Sequence, residues 1–458
     1  MQNHSSGPSS VQGNSTLNPE QERFSSSGFI LTAIGSAVGL GNMWKFPYIT
    51  GKYGGAAFFL LFILCLLVVG LPVLLAELTI GRGGRGNAST SFTRLSKSGP
   101  WGKLGFLSII CAFLILSFYS VVAGWTIHYA VISFSNVLFQ DTDYTHRFTS
   151  FAAGGMPVLW QVVVMFLTGV VVARGVSGGI EKFNKVLIPG MLILLVILMV
   201  RALTLPGAMA GVQFFLKPDF SKLTTDSVLV ALGHAFFSMS LGMGTMITYG
   251  SYVERRQSLG QAASAVGFGD LLYALVAGLI IFPTSFAFGI EPSQGAGLVF
   301  MALPAAFSAM PLGNLFGGLF FTLLTVAAMT STVGLLEVPV AYVMDKWGWS
   351  RKKATLWTTV LCCLVGIPSA LSIGGVLGDY TIAGKSIFDF MDFVASNILL
   401  PLGGLIVTLF TGYVWKKAGD EANLSHPVFR VWIFVVRYIA PVLVVLIFLY
   451  SSGLIHVE

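Results

Sequence analysis

The fold is decided by a glycine-rich apolar stretch near the N-terminus, FILTAIGSAVGLGNMWKFPYIT, residues 29–50. Its length is sufficient for an α-helix to cross a bilayer, which takes about 20 apolar residues. Three glycines, Gly35, Gly39 and Gly41, stand in its middle, and each weakens a helix by about 1 kcal/mol relative to alanine. The pattern predicts a membrane span that is interrupted halfway across.

A second span repeats this pattern in the other half of the chain. Residues 236–246 read FFSMSLGMGTM, and aligning AVGLGN (37–42) with SLGMGT (240–245) superposes two glycines of each stretch. Two interrupted spans at matching positions of two halves are typical of inverted-repeat transporters with a binding site at the bilayer midplane. The alternative is that the glycines only permit close helix packing. The match between two spans with polar neighbours favours the site.

The composition limits the classes of protein to consider. The chain has 458 residues, of which 55% are hydrophobic and only 10% are charged, with a mean hydropathy of +0.82. Because soluble domains carry about 25% charged residues, these values exclude a soluble enzyme, a disordered chain and a disulfide scaffold. The sequence has no GxxxxGK[ST] or HExxH motif. We therefore expect a polytopic membrane protein that is not an enzyme, does not use ATP and does not bind nucleic acid.

The hydropathy pattern predicts eleven helical spans, which are longer than the strands of a membrane β-barrel. The predicted spans are 29–50, 54–80, 104–134, 157–173, 183–202, 227–252, 261–289, 315–344, 354–374, 385–413 and 430–452. The predicted segments are a cytoplasmic tail (1–27), a first five-helix repeat (28–202), an extracellular connection (203–226), a second repeat (227–413), and a loop with helix 11 (414–458). We expect residues 290–313, which contain three prolines, to form a helical surface loop.

The distribution of Lys and Arg predicts the orientation in the membrane. With the N-terminus inside, 18 of the 26 basic residues lie on the cytoplasmic side and six lie outside, while Lys45 and Arg437 fall within spans. Cytoplasmic loops of membrane proteins carry this excess of positive charge. The N-terminus is therefore predicted to be cytoplasmic and, because the number of spans is odd, the C-terminus extracellular.

Several carboxylates lie within or at the ends of predicted spans, where charged groups are rare and usually functional. Asp270 is distinctive because no basic residue is near it in sequence, which makes it a candidate cation ligand. Its alternative role is to pair with a polar group on a neighbouring helix. Glu77 and Glu337 are instead expected to accept hydrogen bonds from backbone that the interrupted spans leave free.

Two weaker signals lie in the eighth and fifth spans. The eighth contains AAMTST, residues 327–332, whose adjacent hydroxyls usually bond to the preceding turn but also suit an alkali cation. The fifth contains Gly179 and Pro189, and a proline frees the carbonyl one turn before it. Part of this span is therefore predicted to unwind.

These motifs together resemble a known family. The sequences GSAVGLGNMWKFP (35–47), ELTIGR (77–82), FYSVVAGW (118–125), FFSMSLGMGT (236–245), MTST (329–332) and FMDF (390–393) are similar to those of neurotransmitter:sodium symporters, particularly the short bacterial amino-acid symporters. The resemblance covers nearly all of residues 28–452. It implies an all-α polytopic fold with eleven helices, a 5+5 inverted repeat with broken helices 1 and 6, and one extra helix. It also implies a protein of the bacterial cytoplasmic membrane.

The resemblance also implies the site residues. Sodium site 1 would comprise Ala37, Asn42, Ser238 and Asp270, and sodium site 2 would comprise Gly35, Val38, Ala327, Thr330 and Ser331. The substrate would bind to Ala37, Leu40, Gly41, Ile115, Tyr119, Phe237, Ser240, Met243 and Leu335. Gate residues would be Lys45 and Asp392 outside, Asp345 inside, and Gly179 and Pro189 where the fifth span opens a path to the cytoplasm.

By this resemblance, the chain imports a neutral, hydrophobic or aromatic L-amino acid together with two sodium ions by alternating access. The apolar pocket lining and the adaptable side chain of Met243 favour such a substrate. Chloride-dependent relatives carry Asn where this chain has Asp270, and Ser where it has Ala274. Because a fixed carboxylate replaces the charge of chloride, we expect no chloride requirement. The alternatives are a transporter of the same fold for another small organic solute, and an ion channel.

Four positions depart from the family pattern. Lys45 replaces the usual arginine of the external gate, so that a bidentate contact with Asp392 becomes a point contact. His234 occupies a position where glutamine is common. At the inner gate, Glu20 and Arg23 stand where the family usually has Arg and Trp. Either Arg23 pairs with the inner-gate aspartate, or this end closes differently.

Overall fold

The structure is a computed structural model that describes residues 23–96, 99–140, 143–291 and 298–455. Most of the predicted N-terminal tail, with Glu20, lies outside the described residues, as do Lys97 and residues 292–297 of the predicted surface loop. The described chain is almost entirely helical. Its one sheet is a β-hairpin of two strands with two residues each, in which Thr381 pairs with Ser386 and Ile382 with Lys385.

Short connections join most of the helices along the described chain. The α-helices are α1 Ser26–Ala37, α2 Leu40–Lys52, α3 Ala56–Cys65, α4 Leu71–Gly84, α5 Ala88–Leu95, α6 Trp101–Phe134, α7 Tyr144–Ala153, α8 Met156–Ala173, α9 Lys182–Leu203, α10 Ala208–Leu216, α11 Thr225–Ser238, α12 Thr245–Ser251, α13 Leu259–Ala287, α14 Leu303–Ala309, α15 Gly313–Trp347, α16 Arg351–Leu371, α17 Ile387–Asp392, α18 Leu400–Leu409, α19 Ala418–Ala422, α20 His426–Phe434 and α21 Ala440–Ser451. The strands are β1 Thr381–Ile382 and β2 Lys385–Ser386. Wider π-helical turns occur at Leu66–Gly70, Val176–Glu181, Leu298–Ala302, Phe393–Leu399, Phe410–Val414 and Val435–Ile439, and 3₁₀ turns at Leu138–Gln140 and Phe220–Lys222.

Nine helices in the described residues are long and apolar enough to cross a membrane. They are Ala56–Gly84, Trp101–Phe134, Met156–Ala173, Val176–Leu203, Leu259–Ala287, Gly313–Trp347, Arg351–Leu371, Ile387–Val414 and His426–Ser451. The two other predicted spans are the glycine-interrupted ones, and each consists of two shorter helices. The count of eleven crossings remains a prediction. Span ends differ from those expected by a few residues; for example, the tenth begins at Ile387 because Lys385 and Ser386 belong to β2.

Both interruptions occur where the glycines predict them. The first separates α1 from α2 at residues 38–39, and the second separates α11 from α12 at residues 239–244. Within the second, Gly242 and Gly244 have φ angles of 78° and 76°, in the left-handed region that glycine adopts without steric cost. The glycines thus end each helix in the middle of the protein.

The interruptions lie at the centre of the helical bundle. The two longest helices, α6 and α15, pack against each other, and α1 and α2 both pack against α13 and α15. At the surface, residues 298–309 of the predicted loop are helical, and Phe300 packs on Trp125 and Tyr129 at ring distances of 5.7 and 5.2 Å. This confirms the predicted helical loop for its described part. The arrangement encloses the unwound backbone in protein rather than lipid.

Candidate functional site

Side chains satisfy part of the backbone that the interruptions leave free. The N–H of Gly242 donates to Glu77 Oε1 at 2.6 Å, and the N–H of Leu40 donates to the Tyr119 hydroxyl at 3.2 Å. Ser240 Oγ, from the second interruption, donates to the carbonyl of Ser36 at 2.8 Å. The expectation for Glu77 is confirmed. The two interrupted helices are also joined directly to each other.

Glu337 has different partners from those expected. It accepts hydrogen bonds from Arg351 Nη1 at 2.8 Å and Nη2 at 3.0 Å, and from the Tyr252 hydroxyl at 2.6 Å. The expectation that it binds freed backbone is wrong, because the first residue of the next helix supplies a buried guanidinium. A buried carboxylate paired with a buried cation needs no further charge.

Three of the residues predicted for sodium site 1 form a buried cluster around Asp270. Asn42 Nδ2 and Ser238 Oγ approach Asp270 Oδ1 at 2.6 and 2.5 Å, and Ser238 Oγ lies 2.8 Å from Asn42 Oδ1. Ala37 ends α1, next to the interruption. Asp270 is fully buried, and its Oδ2 has no hydrogen-bond partner within the described part of the chain. A buried carboxylate oxygen without a donor fits a cation.

The residues predicted for sodium site 2 are less closely connected. Thr330 Oγ1 and Ser331 Oγ approach the carbonyl of Ala327 at 3.0 and 3.2 Å, which is the local bonding considered as the alternative. Ser331 nevertheless lies against the interruption, since a β-carbon on Gly39 would be 2.7 Å from its Oγ. No hydrogen bond joins Gly35 or Val38 to these hydroxyls among the described residues. Because helix α1 packs on α15, the oxygens of the residues predicted for this site lie along the interface between these two helices.

A cavity with about 370 Å³ of empty space lies between the two interruptions. Its lining contains eight of the nine residues predicted to bind substrate: Ala37, Gly41, Ile115, Tyr119, Phe237, Ser240, Met243 and Leu335. Leu40 lines the neighbouring cavity instead. Ser36 lines the cavity but was not predicted, although a serine beside Gly35 in an apolar span is a recognisable signal. The lining of the cavity therefore combines apolar side chains with backbone and hydroxyl groups.

The start of α2 gives this cavity an end suited to an anion. The N–H of Gly41, in the first turn of α2, has no acceptor among the described residues, and the Tyr119 hydroxyl lies beside it. Free N–H groups and the dipole at a helix N-terminus favour a carboxylate. The carbonyl of Ala37 accepts one backbone hydrogen bond, from Gly39, and retains a second lone pair for a cationic group. The carbonyl of Phe237 accepts from the backbone N–H groups of Ser240 and Met239.

Phe237 separates this cavity from a second one nearer the predicted outside. The second cavity has about 360 Å³ of empty space and is bordered by Lys45 and Asp392, while Phe237 lines both cavities. Lys45 Nζ lies 3.7 Å from Asp392 Oδ2 and 4.7 Å from the centre of the Phe237 ring. These three residues thus have the arrangement expected of an external gate, with the lysine making a single contact.

His234 does not take part in a polar network there. Its ring lies 5.6 Å from that of Phe46 and 5.1 Å from that of Phe62, and its Nε2 is buried without a hydrogen-bond partner among the described residues. Its imidazole therefore packs as an aromatic side chain where the family usually has an amide.

At the end that is predicted to be cytoplasmic, Arg23 and Asp345 do not form an ion pair. Asp345 Oδ2 accepts hydrogen bonds from the backbone and side-chain nitrogens of Asn87 at 3.2 and 2.7 Å. Arg23 is exposed and forms no ion pair with any described carboxylate. The next residue, Phe24, is buried instead, and packs edge-on to the rings of Tyr249 and Tyr252 at 5.5 and 6.0 Å. This end closes differently from the usual pattern.

A second contact at this end joins the start of α1 to the fifth span. The backbone N–H of Ser25 and its hydroxyl donate to Glu181 at 2.9 and 2.5 Å, and Lys185 Nζ lies 2.6 Å from Glu181. Sequence reasoning missed Glu181, although it stands two residues after Gly179. Residues 176–203, with Gly179 and Pro189, are helical here. Unwinding of this span therefore remains a prediction.

Known proteins share this architecture. The model of the sodium:neurotransmitter symporter family matches residues 21–153 and 146–456. The chain is 39% identical to the sodium-dependent transporter YhdH of Bacillus subtilis, over 93% of this chain and 97% of that protein. The chain belongs to the sodium:neurotransmitter symporter family. A sodium-dependent transporter of Haemophilus influenzae is 36% identical over 95% of this chain and 99% of that protein.

One solved structure extends the likeness to the fold. The crystal structure of MhsT in complex with L-phenylalanine superposes with a TM-score of 0.87, at 46% identity over 94% of this chain and 99% of that one. The predicted family, its bacterial relatives and the all-helical fold are confirmed. The protein is a multi-pass membrane transporter of a sodium-dependent family and not an enzyme.

Proposed function

We propose that this transporter imports a neutral, hydrophobic or aromatic L-amino acid together with sodium. The observation that carries the proposal is the fully buried Asp270, which has one oxygen without a partner among the described residues and is bonded to Ser238 in the lining of the cavity. The 46% identical MhsT structure contains L-phenylalanine. The apolar wall formed by Ile115, Met243 and Leu335 suits such a side chain.

Each end of the cavity would hold one part of the amino acid. The carboxylate would accept hydrogen bonds from the Gly41 N–H and the Tyr119 hydroxyl at the start of α2. The ammonium group would donate to the carbonyls of Ala37 and Phe237. Both charged groups of the amino acid would then interact with fixed backbone dipoles at the interrupted helices instead of with water. Binding would thus give hydrogen-bond partners to backbone groups that otherwise lack them within the membrane.

Coupling would follow from the position of the first sodium ion. An ion held by Asp270, Asn42 and Ser238 would lie near the carboxylate of the substrate, which attracts it further. In the low dielectric of a buried site this attraction is strong. Because coupling between two ligands is reciprocal, sodium raises the affinity for substrate as much as substrate raises the affinity for sodium. A second ion at Gly35, Val38, Ala327, Thr330 and Ser331 would stabilise the packing of α1 on α15.

The fixed charge of Asp270 would make transport independent of chloride. The neighbouring Ala274, one turn later in α13, is fully buried and offers no hydroxyl for an anion. Chloride would therefore lack a binding site next to Asp270, and the negative charge of the Asp270 carboxylate would repel it.

Alternating access would use the gates at the two ends. Lys45, Asp392 and Phe237 would open on the outside, and Gly179, Pro189 and Asp345 would change on the cytoplasmic side. The excess of Lys and Arg at one end supports a cytoplasmic N-terminus, an extracellular C-terminus and a location in the bacterial cytoplasmic membrane.

Uptake by the purified protein in proteoliposomes tests the proposal. With an inward sodium gradient we expect saturable uptake of radiolabelled L-phenylalanine and L-leucine, and little uptake of L-glutamate or L-lysine. Replacing external sodium by choline should abolish uptake, whereas replacing chloride by gluconate should leave it unchanged. Uptake that persists in choline would contradict sodium coupling, and flux that does not saturate would favour a channel.

A further inference from the structure

A recess away from the transport path opens on the surface between α6, α15 and α16. It has about 1020 Å³ of empty space. Ile109 and Val343 form part of its buried floor, while Phe106, Trp347 and Leu361 in its walls are exposed by 36%, 57% and 56%. An apolar surface of this shape and exposure marks an interaction site rather than random surface composition.

The recess lies towards one end of three apolar helices that are long enough to cross a membrane. Its lining comes from the first half of α6, the last turns of α15 and the first turns of α16, which meet around the loop 347–351. Trp347, Trp349 and Trp357 all line it, and the rings of the first two lie 5.3 Å apart. Tryptophan is enriched at the level of the lipid headgroups. The opening of the recess is therefore expected near the headgroups and its floor among the acyl chains.

Exposed lysines surround the same end of these helices. Lys103, Lys346, Lys352 and Lys353 are all exposed, and within the described ranges none of them forms an ion pair with a carboxylate. Lys353 Nζ lies 4.4 Å from the centre of the Trp349 ring, which places one ammonium group directly at the recess. Basic pockets between membrane helices on the cytoplasmic side, where this end of the helices is predicted to lie, attract anionic lipid headgroups.

We propose that this recess is a binding site for an anionic phospholipid. One acyl chain would occupy the space between α6, α15 and α16, and the phosphate would contact Lys353 and its neighbours Lys346 and Lys352. A second copy of the chain is the competing occupant. It fits less well, because a two-fold interface through the recess would bring two clusters of lysines together. A surface that only contacts bulk lipid would not discriminate between headgroups.

Photolabelling in nanodiscs tests this assignment. The purified protein is placed in phosphatidylcholine discs that contain a small fraction of phosphatidylglycerol with a photoreactive group in the acyl chain, and labelled peptides are identified by mass spectrometry. We expect the label in peptides covering 106–113, 339–347 and 357–361. Unlabelled phosphatidylglycerol should compete, whereas the same amount of added phosphatidylcholine should not. This readout needs no variant.

Two matched triple variants then test the lysines. Replacing Lys346, Lys352 and Lys353 by Gln should lower the affinity of the recess for the probe about a hundredfold, since each lysine near a lipid surface contributes about 1 kcal/mol. The control replaces three exposed lysines from loops predicted to lie on the other side, Lys52, Lys217 and Lys222, by Gln, and should leave the labelling unchanged. Sodium-dependent binding of L-phenylalanine reports that each variant is folded.

A third variant fills the recess itself. Replacing Ile110, which lines it and is half-buried, by Trp should reduce labelling there without reducing labelling elsewhere on the protein. Equal labelling by phosphatidylcholine and phosphatidylglycerol probes, or labels spread evenly over all exposed helices, would overturn the proposal. Cross-links between two copies of the chain at residues 106–113 would identify a dimer interface instead.

Discussion

Two fully buried carboxylates, Asp270 and Glu337, have opposite surroundings. Both oxygens of Glu337 are occupied, by the Arg351 guanidinium and the Tyr252 hydroxyl. Asp270 has only uncharged neighbours, Asn42 and Ser238, and its Oδ2 is unpartnered among the described residues. Since a buried charge is costly without compensation, the protein itself neutralises Glu337, whereas Asp270 needs a ligand that brings a positive charge.

Glu77 is intermediate between these two. One oxygen accepts a hydrogen bond from the Gly242 N–H, and the other has no partner within the described part of the chain. Its partner is unwound backbone rather than a cation. Burial and one unpartnered oxygen therefore do not by themselves identify the ion-binding carboxylate. Asp270 differs from Glu77 because the side-chain oxygens of Asn42 and Ser238 lie beside it and can join it in binding a cation.

The largest effect is expected for Asp270→Asn. At about 4 Å, the attraction between two unit charges is about 4 kcal/mol at an effective dielectric constant of about 20, so that its loss weakens sodium binding about a thousandfold. Sodium titrations of L-phenylalanine binding in chloride-free buffer measure this. Full activity of the variant without chloride would contradict the role of the carboxylate. Glu337→Gln is the matched control and should leave the sodium affinity per folded molecule unchanged.

The second effect concerns stability rather than binding. Arg351→Met removes the guanidinium and leaves Glu337 buried without a counter-charge, which should lower the free energy of unfolding by about 3 kcal/mol. Thermal unfolding in detergent measures it. Adding Glu337→Gln to this variant should recover part of the loss, because the unpaired charge is then absent. A double variant no more stable than Arg351→Met would show that the pair is not the source of the effect.

A smaller effect is expected for Ser238→Ala. This change removes the hydroxyl that lies 2.5 Å from Asp270 Oδ1 and about 1.5 kcal/mol of hydrogen bonding to a charged group, which corresponds to about a tenfold weaker sodium affinity. The matched control is Ser120→Ala, which removes another buried hydroxyl, bonded at 3.0 Å to the carbonyl of Ser117. It should leave sodium affinity unchanged. Equal losses in both variants would mean that the Ser238 effect is not specific to the site.

The smallest effect is expected for Glu77→Gln. The amide oxygen still accepts a hydrogen bond from the Gly242 N–H, and only the charge assistance is lost, at about 1 kcal/mol. We expect slightly lower thermal stability and unchanged sodium affinity. Glu77→Leu, which also removes the acceptor, should be less stable than Glu77→Gln. A large loss of sodium affinity in Glu77→Gln would place this carboxylate among the ion-binding groups.

The sequence predicts the interruptions and the cavity well, because glycines weaken a helix and polar residues in apolar spans usually serve a function. Gly242 and Gly244 lie in the second interruption, as predicted, and adopt a left-handed backbone that glycine permits. The partner of Glu337 could not be predicted, since its pairing with Arg351 depends on how two helices turn back on each other. The same holds for Ser25 and Glu181, which are far apart in sequence and meet only through packing of α1 on the fifth span.

The Phe237 ring is a wall shared by the two central cavities, and this has a consequence for the order of events. If this side chain rotated towards the cavity that is proposed to bind the substrate, it would need empty space there, and a bound amino acid would occupy that space. The loaded protein would therefore hold the ring in the position that keeps the ligand from escaping outwards. An empty protein would let the ring move freely, so occupancy itself would decide when the outer path is shut.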